Sequence, residues 1–107
     1  PDNENIVYLG MMGLVLKSVD KGKSWNPVLK NENGFMYWRI ALNPFDTNEL
    51  LVTGERIFHT HDGGSTWHTF DLIYESKSCY ALDVDWTNRI LYVSTSSPNY
   101  SVYKRRF

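Results

Sequence analysis

This 107-residue sequence has only one cysteine and no long apolar run. Its single cysteine, Cys79, cannot form an internal disulfide, so cysteine usage leaves the redox compartment open. We interpret Cys79 as a small buried apolar side chain, because no base or acid adjoins it in sequence. The longest apolar runs, such as residues 14–16, are far shorter than the roughly 20 residues of a membrane-spanning helix. No signal-like segment follows Pro1, which leaves a removed leader and an internal start as open alternatives.

An excess of charge of one sign is also missing. Eleven Lys and Arg against twelve Asp and Glu give a net charge of −1, which attracts neither nucleic acid nor anionic lipid. The one basic run, 104–106, is interpreted as the solvated end of a strand. The 42% hydrophobic and 21% charged residues are typical of a soluble globular protein. We predict no cofactor, no nucleic-acid partner and no membrane insertion.

An internal repeat is what the sequence does contain. Segments 18–25 and 60–67 share the pattern (S/T)-x-D-x-G-x-(S/T)-W, and their tryptophans are 42 residues apart, which is the period of a propeller blade. A third copy of the repeat begins at 89–94, but Phe107 occupies the expected Asp position, so either this copy lacks the motif or the sequence ends too soon. The segments before the motifs align as well, 5–10 with 49–54 and 14–17 with 56–59.

Short β-branched and aromatic runs, separated by Asn-Pro, Asp-Gly and Asn-rich turns, fill the sequence between the motifs. Strands spaced by about 8–12 residues indicate an antiparallel sandwich, barrel or propeller, and the repeat selects the propeller. We therefore predict an all-β fold, a β-propeller segment of antiparallel four-stranded blades.

Counting strands divides the chain into about two and a half blades. Residues 1–30 supply three strands of a first blade, 35–72 a complete second blade and 79–107 an incomplete third. Propellers commonly close with about 4–8 blades, so the chain needs flanking blades, copies of itself or another subunit. The predicted strands are 6–10, 14–19, 24–29, 37–43, 49–54, 56–61, 66–72, 79–86, 89–95 and 100–106.

The repeated motif is suited to a tight hairpin turn. Its Asp can accept hydrogen bonds from backbone N–H groups, and its first Ser or Thr can tether the other side. Its Gly permits positive φ, and its Trp packs on the sheet while donating the indole N–H to a carbonyl. The residues with these predicted structural roles are Ser18, Asp20, Gly22 and Trp25 in the first copy, and Thr60, Asp62, Gly64 and Trp67 in the second.

Both motif copies resemble the Asp-box, or bacterial neuraminidase repeat. That family includes sialidases, xyloglucan-degrading hydrolases, sortilin-type receptors and photosystem-assembly factors, and segment 41–52 is closest to the sortilin and xyloglucan-hydrolase style of repeat. The resemblance implies that each box joins the third and fourth strands of a blade, away from the ligand face. It also implies an extracellular, periplasmic or lumenal location, which the residues themselves leave unknown.

Catalytic candidates are weak. The resemblance implies that a sialidase would need an arginine cluster, a tyrosine nucleophile with a glutamate, and an aspartate acid; Arg39, Arg56 and Arg89 form no recognisable set. Asp83 and Asp85 alternate on a predicted inner strand and share a face, so they are the weak candidates for the carboxylate pair of a glycosidase. The alternative is the polar lining of a solvated channel.

Two further groups are candidate binding residues. His59 and His61 share a strand face and His68 follows the turn, but zinc needs three or four ligands, so we predict solvent-facing histidines and no metal.

Tyr37, Trp38 and Arg39, where a loop enters the inner strand, are candidates for stacking on a sugar or anchoring a peptide. The alternative for the aromatic pair is ordinary packing between blades.

No complete catalytic set emerges, so the sequence favours a non-enzymatic propeller scaffold that binds a protein or a glycan, or assists assembly. The alternatives are a fragment of a carbohydrate-active hydrolase and a structural segment of a larger enzyme. Expected partners are flanking blades of a longer chain, another protein, a second copy or a glycan.

Overall fold

The chain folds into antiparallel β-structure over the residues that the structure, a computed structural model, describes. Those residues are 3–11, 13–30, 39–53, 57–70, 79–95 and 101–107. Within them, no helix is long and apolar enough to cross a membrane. The strands are β1 (Val7–Met11), β2 (Leu14–Ser18), β3 (Asn26–Lys30), β4 (Arg39–Leu42), β5 (Leu50–Thr53), β6 (Ile57–Thr60), β7 (His68–Phe70), β8 (Cys79–Asp85), β9 (Ile90–Thr95) and β10 (Ser101–Arg106).

The strands form three antiparallel sheets, each built from neighbours in sequence. The first sheet has the order β1-β2-β3, the second β4-β5-β6-β7 and the third β10-β9-β8. Because each strand pairs with the one before or after it, every sheet is a simple meander. The predicted all-β, antiparallel fold class is confirmed.

The strands that follow the repeated motif begin later than the sequence predicted. β3 begins at Asn26 and β7 at His68, two residues after the predicted starts. The backbone N–H of Ser24 instead donates to Asp20 at 2.9 Å, and that of Thr66 donates to Asp62 at 2.9 Å. These hydrogen bonds keep the last residues of each motif in the turn rather than in a strand.

Strand pairing corrects the alignment of the first repeat by one residue. Val7 lies opposite Ser18, and Leu50 lies opposite Thr60, the equivalent motif residue. Val7 is therefore the counterpart of Leu50, whereas the sequence alignment paired Ile6 with it. A shift of one residue exchanges the two faces of a strand, so the correction decides which side chains of β1 face the second sheet.

Two apolar clusters hold the sheets together, one on each face of the second sheet. Val15, Leu50 and Val52 are fully buried between the first and second sheets. Leu51 and Ile57 are fully buried on the opposite face, with Leu91 and Val93 of the third sheet. Since side chains alternate along a strand, β5 contributes to both clusters, and burial of both faces explains its continuous apolar sequence.

One face of β1 is exposed. Val7, Leu9 and Met11 are 39%, 49% and 46% exposed, although Leu50 and Val52, the counterparts of Val7 and Leu9, are fully buried. The difference arises because the first sheet covers Leu50 and Val52, while no described residue covers this face of β1.

The connections between strands alternate between two ends of the sheets. The motif turns, residues 18–25 and 60–67, share one end with the connections β4–β5 and β8–β9. The predicted ligand-binding segment enters β4 from the opposite end. Tyr37 and Trp38 lie outside the described residues, and Arg39 begins β4 as an exposed side chain.

Replacing Leu50 with alanine should lower the stability of the fold far more than the same change at Leu9, because the two leucines differ in burial. We expect Leu50→Ala to lower the free energy of unfolding by about 2–5 kcal/mol, because it removes a buried side chain from the first cluster. We expect Leu9→Ala to cost less than about 1 kcal/mol. Urea unfolding followed by tryptophan fluorescence measures both, and equal losses would mean that Leu9 is covered in solution.

Candidate functional site

The first motif turn is closed by hydrogen bonds that converge on Ser18 and Asp20. The Ser18 hydroxyl donates to Asp20 Oδ1 at 2.8 Å and accepts the Gly22 N–H at 2.7 Å. Asp20 Oδ2 accepts from the Ser24 hydroxyl at 2.6 Å, and the Trp25 indole donates to the Gly22 carbonyl at 3.1 Å. Both carboxylate oxygens of Asp20 are therefore engaged inside the turn.

The second motif turn repeats this arrangement with threonine in both hydroxyl positions. The Thr60 hydroxyl donates to Asp62 Oδ1 at 2.7 Å and accepts the Gly64 N–H at 3.0 Å. Asp62 Oδ2 accepts from the Thr66 hydroxyl, and the Trp67 indole donates to the Gly64 carbonyl at 3.1 Å. The turns agree residue for residue, so the shared motif produces a shared geometry.

The turn hydrogen bonds keep both aspartates ionised. Those from Ser24 and Ser18 lower the pKa of Asp20 to about 2. The hydrogen bonds from Thr66 and Thr60 hold the pKa of Asp62 well below its usual range. A carboxyl group that stays charged at neutral pH cannot donate a proton to a leaving group, so neither aspartate is suited to general acid catalysis.

The second turn also contacts the first sheet. The Trp67 indole donates a further hydrogen bond to the Val28 carbonyl at 2.8 Å, and Lys17 Nζ donates to the Gly63 carbonyl at 3.1 Å. Gly64 lies so close to this sheet that a Cβ there would stand 2.8 Å from Val28 Cβ. This motif turn therefore both closes its own hairpin and fastens two sheets together.

Glu49 is the centre of a buried polar network between the second and third sheets. Its carboxylate accepts two hydrogen bonds from Arg89, at 2.6 and 2.7 Å, and one each from Asn43 Nδ2 and His59 Nε2 at 2.8 Å. Glu49 is only 5% exposed. A buried carboxylate is costly to desolvate, and four hydrogen bonds, two of them from the cationic arginine, offset that cost.

The electrostatics of this network favour the ionised carboxylate. Burial alone raises the pKa of Glu49, but the hydrogen bonds from Arg89, His59 and Asn43 outweigh it and lower the pKa to about 2. The hydrogen bonds that Arg89 donates to Glu49 in turn raise the pKa of Arg89. Glu49 is therefore a structural anion rather than a proton donor.

Arg89 is held in a geometry that the sequence did not suggest. Its backbone has φ of 60°, a left-handed conformation that costs a residue with a side chain roughly 1–3 kcal/mol. Its guanidinium lies 4.5 Å from the centre of the Phe107 ring while it binds Glu49. These contacts offset the backbone strain and engage the Arg89 guanidinium within the fold.

The predicted histidine group is only partly solvent-facing. The ring of His61 lies 5.7 Å from that of His59 and 5.9 Å from that of His68. His61 and His68 are exposed, but His59 is 8% exposed and the prediction of a solvent-facing side chain is wrong for it. His59 faces the third sheet because its position in β6 alternates with that of Thr60. No three metal-binding side chains converge among the described residues.

The predicted carboxylate pair lies at the end of β8. Asp83 is exposed, and its Oδ1 accepts the Val84 N–H at 2.9 Å. Asp85 caps the turn to β9 by accepting from the backbone N–H and the side-chain amide of Asn88, at 3.1 and 2.8 Å. The side-chain hydrogen bond from Asn88 contributes most to lowering the pKa of Asp85. Arg56 lies outside the described residues.

Sequence reasoning missed the Glu49 network because Arg89, its cation, is 40 residues from Glu49 in the chain. A weak signal existed, since Glu49 and Arg89 each precede a β-strand of the repeat and carry opposite charges. Nothing in either local segment shows that the two side chains meet between sheets.

The two motif glycines offer a matched pair of substitutions. Gly22 and Gly64 both have positive φ, 88° and 94°, so alanine should cost about 1 kcal/mol or more at either position. At Gly22 the nearest atom, in the Trp25 ring, is 3.4 Å from an added Cβ, against 2.8 Å to Val28 at Gly64. We expect Gly64→Ala to be more destabilising by about 1–3 kcal/mol in chemical denaturation. Equal costs would mean that Gly64 does not contact the first sheet.

Glu49 should make the fold acid-sensitive. Its pKa in the folded chain, about 2, lies below the ordinary 4.5, so its contribution to stability is full above pH 4.5 and is lost as the pH falls toward 2. We expect Glu49→Gln to be less stable at pH 7 and to lose less stability between pH 4.5 and 2 than the parent chain, by urea unfolding at each pH. The same change at the exposed Glu4 is the control, and parallel pH profiles for Glu49→Gln and the parent would contradict the assignment.

Comparison with known proteins gives a structural match and no sequence match. No protein-family model matches the sequence, and no curated protein does. The crystal structure of an ancestral GH74 enzyme aligns with 97% of this chain at a TM-score of 0.75 and 21% identity, over 16% of the enzyme's own length.

A second solved structure, YCF48 bound to D1 peptide, aligns with 92% of this chain at a TM-score of 0.68 and 17% identity. The alignment covers 36% of the YCF48 chain. Both matched proteins are β-propellers. The agreement of three antiparallel sheets, their side-by-side packing and these two matches shows that this chain has the fold of a β-propeller segment.

Proposed function

We propose that this chain belongs to a larger Asp-box propeller, in which it serves as a non-enzymatic scaffold for binding a protein or glycan. The observation that supports this proposal is that its hydrogen-bonded acidic side chains are held in the ionised form. Glu49, Asp62 and Asp85 each accept several hydrogen bonds and have lowered pKa values. A glycosidase needs an acid whose pKa is raised, beside a second carboxylate.

We assign the motif turns to the Asp-box because their geometry meets each requirement of that motif. Asp accepts from the turn, the first Ser or Thr tethers it, Gly takes positive φ and Trp closes the hairpin. On this assignment residues 1–30, 35–72 and 79–107 belong to three successive blades, and the boxes lie at the end away from the ligand.

The binding surface of this scaffold would lie at the opposite end of the sheets, where Arg39 enters β4. Arg39 is exposed, so its guanidinium is accessible to a carboxylate of a peptide or a sugar. Tyr37 and Trp38 precede it in sequence, and their faces are suited to stacking. The solved structure of YCF48 bound to D1 peptide supports peptide binding as one function that a propeller of this type performs.

The rival function is glycoside hydrolysis by a larger protein of which this chain is a part. The alignment with an ancestral GH74 enzyme over 97% of this chain favours it. On this alternative Asp83 and Asp85 are the residues to test, since they are the adjacent carboxylates on an inner strand.

Hydrolysis assays separate the two functions. We expect no release of reducing sugar from xyloglucan or carboxymethylcellulose, and none of the fluorescent product from a sialic acid glycoside. Turnover that disappears in Asp83→Asn or Asp85→Asn would overturn the scaffold proposal and establish the hydrolase.

Binding should be measured on peptide and glycan arrays, with any hit followed by calorimetry. We expect Arg39→Ala and Trp38→Ala each to weaken the interaction at least about tenfold, because each removes a charge-assisted hydrogen bond or a stacked ring. Lys23→Ala, at the exposed first motif turn, is the matched control and should bind normally. If Lys23→Ala alone weakens binding, the binding surface lies at the end of the sheets that carries the motif turns, and the assignment to Arg39 and Trp38 is wrong.

A further inference from the structure

One buried hydroxyl of the second sheet lacks a hydrogen-bond partner. Thr53, the last residue of β5, is fully buried. In the part of the chain that the structure describes, its Oγ1 is the one buried side-chain polar atom without a partner. Burying a hydroxyl in this way lowers the stability of a fold, so the atom requires an explanation. An acceptor atom that arrives with a ligand would supply the missing partner.

Thr53 lies at the end of the sheet where we place the binding surface. It is directly opposite Arg39, and the Cβ atoms of such a cross-strand pair are about 4.5–5.5 Å apart. Thr53 is two residues from Leu51, which packs against the third sheet, so Thr53 and Arg39 share the face toward that sheet. An exposed cation and a buried hydroxyl are therefore neighbours at the junction of the second and third sheets.

The third sheet is irregular at the same end. β8 begins there, since the β8–β9 connection lies at the other end with the motif turns, and β8 packs beside β4 and β5. The pairing of β8 with β9 shifts between Cys79 and Ala81, which leaves Tyr80 without a partner in the register. A bulge of this kind bends a strand and is common next to binding sites. The bulge and the Arg39–Thr53 pair thus lie at the same end of neighbouring strands.

The two side chains together are complementary to a carboxylate. A guanidinium only donates hydrogen bonds, and a hydroxyl donates its proton once an acceptor is present. An ionised carboxylate has two acceptor oxygens, so it can accept from both groups at once, with a charge opposite to that of arginine. A carboxamide of the same shape replaces one oxygen with an N–H donor, which the guanidinium cannot accept.

We propose that Thr53 selects carboxylate ligands: its hydroxyl donates to one oxygen of a peptide carboxylate while the Arg39 guanidinium binds the other. This inference rests on the proposed function, which places binding at this end of the sheets, and it adds the donor that distinguishes an acid from an amide. A peptide carries its carboxylate on a slender stem that reaches below the surface, whereas an acidic sugar carries it directly on a bulky ring. Because Thr53 is buried before binding, the side chains around it must move apart, which slows association.

The probes are two pairs of small molecules, each an acid and its neutral counterpart. N-acetylglycine and N-acetylglycinamide represent a peptide, and glucuronic acid and glucose represent a sugar. Titrations of the nitrogen-15-labelled 107-residue chain, followed by amide chemical shifts, measure each Kd. We expect N-acetylglycine to bind with a Kd on the order of 1 mM, and its amide and both sugars at least about tenfold more weakly.

Thr53→Val removes the hydroxyl and keeps the shape of the side chain. We expect it to weaken binding of N-acetylglycine about tenfold and to leave the amide unaffected, because one charge-assisted hydrogen bond is lost. It should also raise the melting temperature by several degrees, because the unpartnered hydroxyl is gone. A variant that is more stable yet binds more weakly cannot owe its weaker binding to misfolding.

Two further variants complete the comparison. Thr53→Ser keeps the hydroxyl and should bind N-acetylglycine as the parent chain does. Thr69→Val makes the first change on the exposed strand β7, and it should alter neither the affinity nor the preference for the acid.

Arg39→Gln separates this inference from the proposed function. If Arg39→Gln abolishes binding of the acid and Thr53→Val does not change it, the surface is correctly placed but the hydroxyl takes no part, and the inference is wrong. It is also wrong if Thr53→Val weakens the acid and the amide alike, if Thr53→Ser fails to bind, or if Thr53→Val melts no higher than the parent chain. The last result would mean that the hydroxyl is already satisfied without a ligand.

The parent chain alone gives the remaining outcomes. Tighter binding of glucuronic acid than of N-acetylglycine would overturn the assignment to a peptide. If neither acid binds but an array ligand does so through Trp38, the inference falls and the proposed function stands. If nothing binds, either on the arrays or among the probes, both fall.

Discussion

Both faces of the second sheet are buried, and this burial joins the three sheets into one structure. Leu50 and Val52 on one side of β5, and Leu51 on the other, are fully buried because a sheet packs on each face. A single four-stranded sheet could not bury both rows, so the three sheets stabilise one another. Away from these two junctions, Val7, Leu9 and Met11 of β1 are exposed apolar side chains, and Asp83 and Lys104 of the third sheet are exposed charges.

Polar contacts reinforce the apolar clusters, and they do so differently at the two junctions. Between the first and second sheets, backbone carbonyls accept hydrogen bonds from the Trp67 indole and the Lys17 ammonium. Between the second and third sheets, the buried Glu49 carboxylate binds Arg89 and His59. The contacts across the first junction therefore involve no carboxylate, while those across the second depend on an ionised one.

The function that we propose follows from how the acidic side chains are used. Hydrogen bonds fix Asp20, Asp62 and Glu49 as anions that hold turns or sheets in place. Such groups specify the geometry of a scaffold and are unsuited to proton transfer.

Sequence analysis predicted the features that depend on near neighbours in the chain: the strands, the fold class and the motif turns, whose hydrogen bonds join residues two to four positions apart. The prediction misplaced the register of β1 by one residue and wrongly made His59 solvent-facing. Strand pairing and burial depend on contacts with other strands and sheets, which a local segment does not reveal. The contacts of Glu49 with Arg89 and of Trp67 with Val28 could be found in the folded structure alone, since packing between sheets joins residues about 40 positions apart. Hydrogen bonds between near neighbours are enough to fix a turn. A buried charge, in contrast, acquires its partner when two sheets pack together and exclude water.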